Sequence, residues 1–121
     1  MAEVRYMVDD VDAAVVFYRD QLGFELKQLF GPAMAIVDHG DLALWLAGPA
    51  ASARRPLADG ARPQPGGWAR IEIKVADLAE TVAAMMATGV RLRNAMVTGP
   101  GGKQVLCLDP SGNLVELFEP A

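Results

Sequence analysis

Apolar and polar residues alternate strictly through GGWARIEIKVADL, Gly66 to Leu78. Ala69, Ile71, Ile73 and Val75 fall on one side and Arg70, Glu72 and Lys74 on the other. A period of two marks a strand with one buried face and one face turned elsewhere. Glu3 to Val8 shows the same pattern, with Val4, Tyr6 and Val8 on one face. After each strand the period lengthens. Val11, Ala14, Val15, Tyr18 and Leu22 make an apolar stripe at helical spacing, begun by Asp10 as a cap and ended at Gly23. Asp77 caps an equivalent helix, with Leu78, Val82, Met85 and Met86 on its core side and Gly89 at its end.

Strands are predicted over Phe24 to Phe30, Ala33 to Val37 and Leu42 to Ala47, and the turn DHGD precedes the last of these. In the second half they are predicted over Trp68 to Val75, Val90 to Val97, Gln104 to Leu108 and Leu114 to Phe118. Between the halves runs GPAASARRPLADGARPQPGG, Gly48 to Gly67, whose four prolines and four glycines read as a linker. Its charges Arg54, Arg55, Asp59 and Arg62 read as solvated. The pattern is therefore βαβββ, linker, βαβββ, with modules over residues 1–48 and 66–121 joined by a linker over 49–65. Asp10 matches Asp77, Gly23 matches Gly89, and Gly40 and Gly112 occupy equivalent turns. Half the chain buries too little surface to fold alone, so a single domain over residues 1–121 is expected.

Composition narrows the class. The net charge of −4, with no basic stripe, argues against nucleic acid. The longest apolar run, Leu42 to Ala51, is too short to span a bilayer. One cysteine, Cys107, excludes an internal disulfide and suits a reducing compartment. These features predict a cytoplasmic protein. TGPGGKQ, Thr98 to Gln104, lacks phosphate-loop spacing and no helix follows it, so it reads as a hairpin.

Two segments carry a family resemblance. VDDVDAAVVFYRDQLGFEL near the start and LDPSGNLVELFEP at the end resemble the paired motifs of the vicinal oxygen chelate superfamily. That superfamily includes glyoxalase I, extradiol dioxygenases and bleomycin- and enediyne-binding resistance proteins. The resemblance implies an α+β fold of two βαβββ modules. It also implies four metal-ligand positions, which fall here on Glu3, Trp45, Arg70 and Glu116. A catalytic divalent metal needs about three His, Cys or carboxylate ligands. A protonated arginine cannot ligate a cation, and tryptophan offers only a donor. The only histidine, His39, lies in a hairpin turn away from these positions. No metal and no other cofactor is expected.

The resemblance also implies that the faces away from the helices line a cleft. Arg5, Met7, Trp45, Trp68, Arg70, Glu72, Glu116 and Phe118 are the expected ligand-binding residues. Trp45 and Trp68 read either as stacking platforms for a planar ligand or as fillers of a core or interface. Arg70 reads either as a clamp for a carboxylate or phenolate or as a partner for Glu116. The implied function is metal-independent binding of a planar, amphipathic small molecule, as in antibiotic sequestration, by a homodimer. The alternative is a glyoxalase- or dioxygenase-like lyase or isomerase, with Glu116 or Glu3 as a general base.

Overall fold

The computed structural model describes residues 2–121. The first half contains β1 (Ala2–Met7), α1 (Val11–Leu22), β2 (Glu25–Phe30), β3 (Met34–His39) and β4 (Leu42–Ala47). The second contains β5 (Arg70–Lys74), α2 (Leu78–Ala87), β6 (Arg91–Leu92), β7 (Val97–Gly99), β8 (Gly102–Leu108) and β9 (Leu114–Pro120). Contacts divide the chain into two compact units: Met1–Gly66 with Pro110–Asn113, and Gly67–Asp109 with Leu114–Ala121.

In the first unit the strand order is β1-β4-β3-β2. The first and last strands lie parallel, Arg5 beside Trp45, because α1 carries the chain across one face before β2, β3 and β4 return antiparallel. The apolar stripe of α1 packs on that face. Val11, Ala14, Val15, Tyr18 and Leu22 are all buried, as are Tyr6, Ala35, Val37, Leu44 and Leu46 of the sheet. Phe17 joins them, and edge-to-face contacts run from Phe17 to Tyr18 and from Tyr18 to Phe24. Both expected helix boundaries form: Asp10 accepts from Ala13 N at 3.0 Å, and Gly23 takes the left-handed conformation at φ 74°.

The second unit repeats the plan with order β5-β9-β8-β6, and β7 also pairs with β8. Asp77 caps α2 by accepting from Glu80 N, and Glu119 adds a second acceptor for Leu78 N at 2.8 Å. Ile71, Ile73, Val105, Cys107, Val115 and Leu117 form the buried face of the sheet.

Four sequence expectations need correction. The strand expected over Val90 to Val97 is broken into β6 and β7. The side chain of Asn94 accepts from Leu106 N at 2.9 Å, a bond that a continuous strand would make with its backbone. Met86 is 57% exposed while Met85 is buried. Met85 sits two full turns beyond Leu78, and Met86 is rotated about 100° off that line. His39 closes β3 and packs 5.1 Å from Phe24. Arg54 is not simply solvated: it is half-buried and donates from Nη1 to Val8 O at 2.6 Å and from Nε to Pro63 O at 3.0 Å. A short 3-10 turn, Ser52–Arg54, presents it there.

Pro110–Asn113, in the turn after β8, belong to the first unit. Asn113 accepts from Gly66 N at 2.8 Å and donates to Met7 O at 2.7 Å, while Ser111 Oγ accepts from Asp9 N. The TGPGGK segment is a tight hairpin in which Gly102, at φ 144°, has no room for a side chain: a Cβ there would lie 2.1 Å from Glu119 O.

Candidate functional site

Each sheet has a helix-covered face and an opposite face, and strand alternation assigns every residue to one or the other. In the first unit, burial of Tyr6, Leu44 and Leu46 under α1 leaves Glu3, Arg5, Met7 and Trp45 on the opposite face. Arg5 and Trp45 are direct neighbours across β1 and β4, and the Arg5 guanidinium lies 5.2 Å from the Trp45 ring centroid. This is cation–π geometry. Trp45 is half-buried, and Glu3 is exposed two positions away, beside Ala43.

In the second unit, burial of Ile71, Ile73, Val115 and Leu117 puts Arg70, Glu72, Lys74, Glu116 and Phe118 on the opposite face. Glu116 is 7% exposed. A carboxylate that deep needs a partner. Arg70 supplies it, with Nε and Nη2 each 3.0 Å from Glu116 Oε1. Of the two roles open to Arg70, pairing is therefore the one observed. Glu72 lies beside Glu116 in the parallel register but is exposed to water, and Lys74 lies beside Phe118.

Trp68 precedes β5 and is 67% exposed, so it fills no core within this chain. Its ring is 5.4 Å from the guanidinium of Arg93. Arg93 was not among the sequence candidates. It lies past the end of β6, in the stretch where an unbroken strand was expected. The alternation of Arg91, Leu92 and Arg93 was the available signal, since it pairs both arginines on one face.

The donor set does not fit the metal centre that the family resemblance implies. Among the described residues no three His, Cys, Asp or Glu side chains gather as metal ligands would. Of the four family positions, Trp45 lies against Arg5, and Arg70 holds Glu116 in an ion pair. Glu3, the remaining position, is an exposed carboxylate of the first unit. Cys107, the only thiol, is fully buried on the helix side of its sheet, and loss of solvation pushes it up to about 12.

The family model of the Glyoxalase/Bleomycin resistance protein/Dioxygenase superfamily matches residues 1–117, and the chain belongs to that superfamily. Solved structures agree over nearly the full length. A lactoylglutathione lyase from Agrobacterium tumefaciens is 27% identical with a TM-score of 0.74, covering 98% of this chain and 92% of that one. A superfamily member from Sphaerobacter thermophilus is 25% identical with a TM-score of 0.75, covering 98% and 95%. An antibiotic binding protein from a Streptomyces species shares the fold at 23% identity and a TM-score of 0.73, covering 98% and 93%. No curated protein matches the sequence. No helix among the described residues is long and apolar enough to cross a membrane.

Proposed function

We propose that this protein binds a planar, amphipathic small molecule on the open faces of its sheets without a metal ion. One observation carries the reading. At the positions where family members hold metal ligands, this chain has an arginine–glutamate pair and a tryptophan lying against an arginine. One of the four positions, Arg70, is itself a guanidinium, and another, Trp45, lies against the guanidinium of Arg5. Both charges repel a cation, whereas indole and guanidinium planes suit a flat organic ligand. Arg5, Met7 and Trp45 are the candidate ligand contacts on the open face of the first unit, and Trp68, Arg70, Glu72, Glu116 and Phe118 those on the open face of the second. The protein works as a homodimer in the cytoplasm, and sequestration of an antibiotic is the function that such binding serves.

A second reading draws on the 27% identity to a lactoylglutathione lyase. It needs Glu116 as a proton acceptor, and Oε1 of that carboxylate is already engaged by two nitrogens of Arg70, each at 3.0 Å. The two readings separate in one experiment. Protein purified without chelator is assayed for metal content, turnover of lactoylglutathione, and binding of planar aromatic probes before and after EDTA. Binding that survives EDTA, with substoichiometric metal and no turnover, supports sequestration. Stoichiometric metal with EDTA-sensitive turnover supports the lyase.

A further inference from the structure

The charges of the second unit are sorted by face. Its cations are Arg70, Lys74, Arg91, Arg93 and Lys103. The pairing register runs from Arg70 through Leu114 and Leu108 to Arg91, so these side chains share the open face. Arg93 follows two residues after Arg91, with its backbone N bonded to Leu106 O, and it meets Trp68 on that face. Lys74 shares that face with Arg70 and Glu72, four and two positions before it. Only Lys103 lies on the other side, 4.0 Å from Glu119.

The acids divide the opposite way. Asp77 and Glu119 cap α2, Glu80 lies in its first turn, and Asp109 is buried in the turn after β8. Glu72 and Glu116 alone share the open face. That face therefore carries four cations against two acids, a surplus of +2. The unit as a whole has five cations and six acids, a net −1. Arg70 and Glu116 neutralise each other, so the surplus resides on Lys74, Arg91 and Arg93 with only Glu72 against it.

We infer that the ligand of this face is an aromatic anion, its ring stacked on Trp68 and its carboxylate, sulfonate or phenolate taken by Arg93 and Arg91. The inference rests on the binding reading above and sharpens it. It moves the anion contact away from Arg70, which is committed to Glu116, to two arginines on and just past β6. Trp68 is exposed and already lies against one guanidinium, so an aromatic anion gains stacking and a charge-assisted hydrogen bond from adjoining groups. A neutral ring of the same shape gains only the stacking.

The test compares 2-naphthoate with 2-naphthamide on the full chain, by calorimetry and by the indole N–H resonance of Trp68. The expected result is naphthoate binding about tenfold tighter, with both probes shifting the Trp68 resonance. Arg93→Ala and, independently, Arg91→Ala should each remove most of that preference while leaving naphthamide within about twofold. Lys103→Ala, whose side chain lies on the other side of the sheet, should leave the preference intact. Equal affinities for the two probes, or a preference that survives both arginine substitutions, would overturn the anion inference and leave metal-free binding standing. Binding that leaves the Trp68 resonance unmoved would overturn the anion inference alone, and binding of neither probe would overturn both.

Discussion

Arg70 approaches one oxygen of Glu116, Oε1, through two of its nitrogens, Nε and Nη2, each at 3.0 Å. The two residues are 46 positions apart in sequence and sit on adjacent parallel strands, β5 and β9. The pair holds a buried carboxylate on a face where the family places metal ligands, so it bears on stability and on function together.

Removing the arginine alone should be worse than removing both charges. Arg70→Ala strands a carboxylate that is 7% exposed. The arginine side chain is 35% exposed, so water screens the pair and the loss should be about 1–3 kcal/mol, below the value for a fully buried pair. The double variant Arg70→Met with Glu116→Leu should recover at least half of that loss in urea unfolding. A double variant as unstable as the sum of the single changes would show that the pair is not coupled.

Burial of Cys107 sets an alkaline limit on stability. The folded thiol is pushed up to about 12, chiefly by desolvation, whereas an unfolded thiol ionises near about 8.5. Above that lower value the unfolded chain binds fewer protons than the folded one, so stability falls with rising pH. The contribution is intact below about pH 8.5 and drains away toward pH 12, by at most about 1.4 kcal/mol per pH unit. Cys107→Ala should flatten this part of the pH profile. At pH 8 the native thiol should resist iodoacetamide and react only in denaturant.

Gly102 should tolerate no side chain. A Cβ would meet Glu119 O at 2.1 Å, and the φ of 144° is one that L-residues rarely adopt. Gly102→Ala should cost more than about 2 kcal/mol, read as a drop in thermal midpoint. By contrast Gly101, with nothing near its Cβ position, should accept alanine with little change.

Composition reads Gly48 to Gly67 as a linker with solvated charges, and the bonds of Arg54 give the segment a structural part. Arg54→Ala removes donors from Val8 O and Pro63 O in a half-buried setting and should cost about 1–3 kcal/mol. Deleting residues 51–58, with the ends kept closable, also removes buried Ala51 and should lower the melting midpoint by at least as much as Arg54→Ala. An unchanged midpoint would return the segment to the status of a bare linker.

These cases show what the sequence made legible. Period-two and period-3.6 patterns located β1, β5, both helices and the caps Asp10 and Asp77, because those elements bury one face. Strands β4 and β9, buried on both faces, were legible as short apolar runs bounded by turn residues. The break between β6 and β7 was hidden because it is accompanied by a side-chain bond, Leu106 N to Asn94 Oδ1, that periodicity does not reveal. Arg54 was hidden for a similar reason: a proline-rich stretch looks solvated until its backbone acceptors are known. The site was legible in part. Alternation put Arg70 and Glu116 on one face, but only geometry shows them bonded, and only geometry puts Arg93 against Trp68.

The most direct test of metal-free binding is the affinity of metal-stripped protein for 2-naphthoate, measured by calorimetry with and without one equivalent of added Zn²⁺ or Ni²⁺. The account predicts dissociation constants equal within about twofold in all three conditions, because arginines, not a cation, meet the ligand. Binding that appears only when metal is restored, at one ion per chain, would contradict it.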